Sequence, residues 1–210
     1  MPKVNRAHLD ARRAQIIDAA SVCFSRRGLH GTTMQDIIRE SGLSAGAIYS
    51  YFQSKNAIIA AIADDRHAVE QSAIRNAGRE ADFGEMLEQL SQYFVGSLRQ
   101  AGEQERRRVG IQLWAEALHD DELLAVVRRG VDEPRKMLAA MAKAAQLQGR
   151  LRPEFQPDAI ARIFIALLHG LILQQAWDKR MEIKPYLAAL DALRRLIVTE
   201  QRKPAANTPG

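Results

Sequence analysis

The chain has 210 residues, 30 lysines and arginines against 25 aspartates and glutamates, 47% apolar residues and one cysteine. This is the length and balance of a globular chain of one or two domains. The lone Cys23 excludes an intrachain disulfide framework and any zinc module built on several cysteines. Met1 to Arg6 carry no apolar signal-peptide core, and no run reaches about 18 uninterrupted apolar residues, so a reducing, cytoplasmic address without a membrane partner is expected. The most apolar stretch, Ile163 to Leu173, is short, contains His169 and reads as a buried helix.

Charge is unevenly placed. Residues 1–56 hold eight lysines and arginines against four acids, while the remaining 154 residues are nearly balanced at 22 against 21. A basic first quarter fits a face turned toward a polyanion; a solvated basic face with no partner is the other reading.

Apolar residues recur at three- and four-residue spacing with little period-two alternation, which predicts an all-α chain. The first helix is expected over His8–Arg27, with Leu9, Ile16, Ala19, Ala20, Cys23 and Phe24 on one stripe, a basic flank of Arg12, Arg13, Arg26 and Arg27, and Gly28 as its left-handed stop. Thr33, with Asp36 three residues on, caps a helix Met34–Ser41 that Gly42 ends. Ser44 caps a helix Ala45–Phe52, and Ser54 caps a longer one over Lys55–Asn76. Gly78-Arg79-Glu80-Ala81-Asp82 reads as a hinge. Further helices are expected at Phe83–Ala101, Gln104–Leu118, Asp121–Gln148, Pro157–Trp177 and Ile183–Arg202, the third of them kinked or broken between Gly130 and Pro134. Residues 203–210 have nothing to bury and are expected to be disordered.

Two short helices joined by Ser41-Gly42-Leu43-Ser44 form a helix-turn-helix pattern, whose second helix enters the major groove of DNA. Ile37, Ile38, Leu43, Ile48 and Phe52 fall on inward positions, against Phe24 and Ile16. Gln35, Arg39, Ala45, Gly46, Ala47, Tyr49, Ser50 and Tyr51 are left for the outer face. The first turn of the second helix offers only Ala45, Gly46 and Ala47, so specificity would come from methyl contact with thymine, a few polar contacts and DNA shape. Backbone N–H groups at the caps Thr33, Ser44 and Ser54 present positive dipole ends to phosphate.

The run Gly31-Thr32-Thr33-Met34-Gln35-Asp36-Ile37-Ile38-Arg39-Glu40-Ser41-Gly42-Leu43-Ser44-Ala45-Gly46-Ala47-Ile48-Tyr49-Ser50-Tyr51-Phe52-Gln53-Ser54-Lys55, with the preceding helix, resembles the DNA-binding signature of TetR-type transcriptional repressors over about residues 10–60. The resemblance implies an all-helical, non-enzymatic homodimer that needs no cofactor. A three-helix DNA-binding domain at 1–56 would be connected by the fourth helix, 55–76, to an effector-binding and dimerisation domain at 57–202. By position, Thr33, Tyr49, Tyr51 and Lys55 would touch phosphates, and Gln35, Arg39, Ala45, Gly46, Ala47 and Ser50 would face the groove. Asn56 stands where many relatives carry an acid. The partners implied are a palindromic double-stranded DNA operator, a second copy of the chain and a small, largely apolar effector. Effector binding would move the fourth helix and spoil the match of two recognition helices to grooves about 34 Å apart.

In the C-terminal part, Ile160, Ile163, Phe164, Leu167, Leu168, Leu171 and Ile172, then Tyr186, Leu187, Leu190, Leu193, Leu196 and Ile197, form more apolar surface than a monomer needs; the resemblance makes these helices a four-helix dimer interface, and burial within the monomer is the other reading. Candidates for an effector pocket are Phe83, Met86, Leu90, Phe94, Trp114, Met137, Met141, Phe164 and Trp177, with Gln112, Glu116, His119, His169 and Gln174 as polar handles. A stripe of this kind also serves as ordinary core.

An enzyme is disfavoured. Glu116-Ala117-Leu118-His119 has the Glu-x-x-His spacing of helical di-iron sites, but those need a second copy and two further glutamates. No metal site is expected. A helical scaffold that does not bind DNA is the serious rival.

Overall fold

The computed structural model describes residues 6–78, 83–97, 103–178 and 180–198. Among these there are nine α-helices and no β-strand: α1 (Arg6–Gly31), α2 (Met34–Ser41), α3 (Ala45–Tyr51), α4 (Lys55–Ala77), α5 (Phe83–Ser97), α6 (Glu103–Glu116), α7 (Asp121–Leu147), α8 (Pro157–Trp177) and α9 (Ile183–Ile197). Residues 1–5, residues 79–82 of the expected hinge and the tail 203–210 lie outside the described residues.

Packing divides the chain into two compact units. The first is Met1–Val69 with Leu98–Val131, the second Glu70–Ser97 with Asp132–Gly210. The division is therefore not a single cut near residue 56, because α6 and the first part of α7 build the same core as the helix-turn-helix. In the first unit α1 presents Ile16, Ala20, Cys23 and Phe24 at helical spacing, and α6 answers with Val109 and Leu113, four residues apart. Ile37, Ile48 and Phe52 are buried in this core, and Met34, Ile38 and Leu43 are packed against it. Leu9 is 42% exposed, so the α1 stripe begins at Ile16. Burial pushes the Cys23 thiol up, which keeps it protonated and inert.

Gly28 does not end α1 as a left-handed cap. It breaks the helix at φ 76, ψ 169, and one further turn follows to Gly31. That region of backbone space is open almost only to glycine. The expected break in α7 is absent: the helix runs unbroken through Gly130 and Pro134. Gly130 answers a different need, since a Cβ there would lie 2.0 Å from Nε2 of His67 on α4.

The second unit is built on Phe83, Met86, Leu87, Leu90 and Phe94 of α5, Leu138, Ala142 and Ala145 of α7, and Ile160, Ala161 and Leu168 of α8. Asp158 in the first turn of α8 pairs with Arg135 of α7 and Arg162. The Tyr186 hydroxyl donates to Leu167 O at 2.7 Å, joining α9 to α8. Gly149 at φ 70 closes α7.

The reading of Ile163–Leu173 as a buried helix holds for one side of α8. Leu168, Leu171 and Ile172 are buried, whereas Ile163 is 55% exposed and Trp177 75%. The whole 21-residue helix is long and apolar enough, by length and composition, to cross a membrane, and only 28% of its most apolar window is buried. Leu193 and Leu196 of α9 are also exposed. Leu87, Ile160, Ile163, Phe164, Leu167, Leu190, Leu193 and Leu196 line a groove of about 520 Å³ between α5, α8 and α9.

Candidate nucleic-acid interface

The helix-turn-helix is held by local side-chain caps. The Thr33 hydroxyl accepts from Asp36 N at 3.2 Å, and the Asp36 carboxylate accepts from Thr33 N at 3.0 Å, so two orphan amides of the α2 terminus are satisfied reciprocally. Donation from the Thr33 amide, then from its hydroxyl, holds the Asp36 carboxyl below its usual range, and Arg27, 2.7 Å away, adds to the effect. Gly42, at φ 67 and ψ 14, closes α2 in the left-handed region. Ser44 then accepts from Ala47 N at 3.2 Å to open α3. The Gln15 amide donates to Ser41 O at 2.8 Å and ties the turn to α1.

With Ile48 and Phe52 fixed inward, Gln35 and Arg39 of α2 and Ala45, Gly46, Tyr49 and Ser50 of α3 stand exposed, as do the caps Thr33 and Ser44. Ala47 is half-buried, and the Ser50 hydroxyl donates to Ala47 O at 2.7 Å. A Cβ added at Gly46 would meet nothing within 4 Å. This face offers methyl groups, bare backbone, one phenol, one amide and one guanidinium, a set suited to groove contact more than to a bidentate code.

Tyr51, expected on the outer face, and Lys55, which the resemblance places at a phosphate, are both half-buried. Tyr51 packs against the first core, because its position on α3 adjoins Phe52 and the end of the helix. The Lys55 Nζ donates to Leu29 O at 2.6 Å and Thr32 O at 3.1 Å. The ammonium completes the carbonyls left at the end of α1.

The basic flank of α1 is largely paired within the protein. Arg13 bonds Asp65 at 2.7 and 3.0 Å and lies 5.9 Å over the Phe52 ring; Arg26 faces Glu40 at 3.6 Å. Arg39 meets Asp36 at 3.8 Å and is 71% exposed, so it keeps the reach to contact a ligand.

The residues expected to line an effector pocket are divided between the two units. Trp114 and Glu116 belong to α6 in the first unit, where Glu116 meets His30 Nε2 at 2.7 Å. Gln112 of the same helix bonds the α1 backbone. Phe94, Met137, Met141 and Phe164 converge in the second core with Phe83, Met86 and Leu90. His169 is half-buried on α8, and Trp177 faces solvent at its end. No group of three His, Cys, Asp or Glu able to hold a metal occurs among the described residues. Sequence reasoning missed the role of Gln112; its partners lie far away in the chain, and no local pattern marks it.

Residues 16–62 match the family model of bacterial regulatory proteins of the tetR family, and residues 86–198 match the C-terminal model of BetI-type transcriptional repressors. The chain is 49% identical over 53 residues to the uncharacterised HTH-type transcriptional regulator YfiR of Bacillus subtilis, a match covering 25% of this chain and 26% of that protein. It is 40% identical over 91 residues to the HTH-type transcriptional repressor Rv1474c of Mycobacterium tuberculosis, covering 43% and 47%. Both matches thus span less than half of those relatives. The SmeT–triclosan complex shares the fold with a TM-score of 0.78 at 20% identity, over 95% of this chain and 98% of that one.

Proposed function

Because the chain belongs to the TetR family of bacterial regulatory proteins, with a C-terminal part of the BetI-type repressor kind, we propose that it is a repressor that binds a palindromic operator as a homodimer and releases it when a small, largely apolar effector binds. Proteins of this family regulate transcription by binding DNA and are not enzymes. The observation that carries the reading is the exposed outer face of Gln35, Arg39, Ala45, Gly46, Tyr49 and Ser50 over an inner face fixed by Ile37, Ile48 and Phe52. Gln35, Arg39, Ala45, Gly46, Ala47 and Ser50 face the major groove, while Thr33, Ser44 and Tyr49 sit at phosphates. Tyr51 and Lys55 support this surface from behind.

A second copy laid against α8 and α9 removes Ile163, Trp177, Leu193 and Leu196 from water and covers the 520 Å³ groove. The effector enters the second unit at Phe94, Met137, Met141 and Phe164, where apolar side chains with adaptable thioethers surround it; the triclosan complex of a protein with this fold agrees with a small ligand. A coupling of about 1–3 kcal/mol between effector and operator would loosen DNA roughly 5–150-fold.

The test is selection of bound sequences from a random duplex library, followed by affinity at two salt concentrations. An enriched palindrome with half-sites about one helical turn apart and steep salt dependence is expected. No enrichment by protein refolded free of carried ligand overturns the reading and leaves a helical scaffold.

A further inference from the structure

At the break in α1 the helical ladder fails, and a side chain from 83 residues further along the sequence takes its place. In an uninterrupted helix the amide of Leu29 would donate one turn back, to Ser25, and the carbonyl of Phe24 would accept from Gly28. With Gly28 at φ 76 and ψ 169, the Leu29 amide donates instead to Oε1 of Gln112 at 2.8 Å. The same side-chain amide donates through Nε2 to Phe24 O at 3.4 Å. One carboxamide therefore spans the break from both sides, and a Cβ at Gly28 would sit 3.3 Å from its oxygen.

Beyond the break, Thr32 Oγ1 donates to Gly28 O at 2.8 Å, and Lys55 holds Leu29 O and Thr32 O. His30 meets Glu116 one turn along α6 from Gln112. The short turn after Gly28 is thus tied by side chains at Leu29, His30 and Thr32 as well as by its own helical bonds, and Thr33, which opens α2, follows at once. We infer that Gln112 is a positioning residue for DNA binding: its amide fixes the break in α1 and so the point from which α2 and α3 are presented. This rests on the DNA-binding reading of the helix-turn-helix and adds to it a residue of α6 outside the motif.

The experiment compares wild type, Gln112→Met and Gln112→Glu as full chains on the duplex enriched from the random library, with a scrambled duplex as control. Met keeps volume and helix propensity but neither hydrogen bond; Glu keeps the acceptor for Leu29 and cannot donate to Phe24. Gln112→Met is expected to weaken the enriched duplex about tenfold while leaving the salt slope and the scrambled duplex unchanged, since no charge is lost. Amide exchange at Leu29 should quicken in the same variant, with Gln112→Glu restoring slow exchange there and most of the affinity. A folded Gln112→Met within about twofold of wild type on the enriched duplex overturns the inference. If Gln112→Met does not fold, Gln112→Glu decides: about threefold weaker binding is expected, and equality with wild type overturns it. A wild type that binds no duplex refutes the DNA-binding reading, a separate outcome.

Discussion

The ammonium of Lys55 lies 2.6 Å from the carbonyl oxygen of Leu29, so the first residue of α4 closes the last turn of α1. Its second bond, to Thr32 O, brings the two ends of the helix-turn-helix together. Lys55→Gln removes a charged donor from two half-buried carbonyls and should cost about 1.5–3 kcal/mol of stability. The slope of log K against log salt should stay as in wild type, whereas loss of a phosphate contact would lower it by roughly 0.9. Thermal unfolding and binding at several salt concentrations check the pair.

The Asp36 carboxyl is held below its ordinary range by the Thr33 amide and hydroxyl and by Arg27. Its folded pKa lies below the unfolded one, so the stabilisation is present above the unfolded value and is lost as pH falls through the folded value. Acidification below the ordinary carboxylate range should release the Thr33 amide before the core opens, seen as a shift of its NMR resonance. In Asp36→Asn the acid step should disappear.

Gly46 has open space around its Cα and an ordinary backbone, so nothing inside the chain requires glycine there. Gly46→Ala should stabilise the free protein by up to about 1 kcal/mol through helix propensity. If DNA approaches this point closely, the same methyl weakens binding, and the two effects carry opposite signs in melting and in binding assays.

Leu196, 63% exposed on α9, is the apolar side chain to charge. Leu196→Glu should leave monomer stability within about 0.5 kcal/mol, as exposed substitutions do. It should shift the sedimentation equilibrium toward monomer and weaken binding to a two-half-site duplex far more than to a single half-site. Trp177 emission should move to longer wavelength as the face is uncovered.

Gly130→Ala places a methyl where the His67 ring lies and forces that ring to move. Overpacking of this kind costs about 1–3 kcal/mol. His67→Ala in the same chain should recover most of the loss, since it removes the ring that the methyl meets; a double-mutant cycle measures this directly.

What was legible in the sequence was local. Thr33 with Asp36, Ser44 and Gly42 announce caps and a turn within four residues of the groups they satisfy, and the structure has each of them in that role. The stripe Ile16, Ala20, Phe24 is equally local, since one helix period generates it. Lys55 and Gln112 were read differently because their partners are carbonyls and an amide 23 to 88 residues away, and a backbone group carries no sequence signal. Gly130 and Pro134 suggested a break for sound local reasons; tertiary packing of His67 explains the glycine, and α7 carries the proline without interruption. The charge excess of the first quarter was visible, but the pairing of Arg13 with Asp65, Arg26 with Glu40 and Arg27 with Asp36 depended on the fold.

The bond from Gln112 to Leu29 also sets an order of assembly. During synthesis Leu29 leaves the ribosome 83 residues before Gln112, and Phe24 O and Leu29 N face water until α6 arrives. An N-terminal fragment ending after α4 has α1 and both helices of the helix-turn-helix and lacks the carboxamide that closes the break. Such a fragment should show frayed amides at 28–32, and the nascent chain should acquire its finished DNA-reading surface only after more than half of the polypeptide has been made.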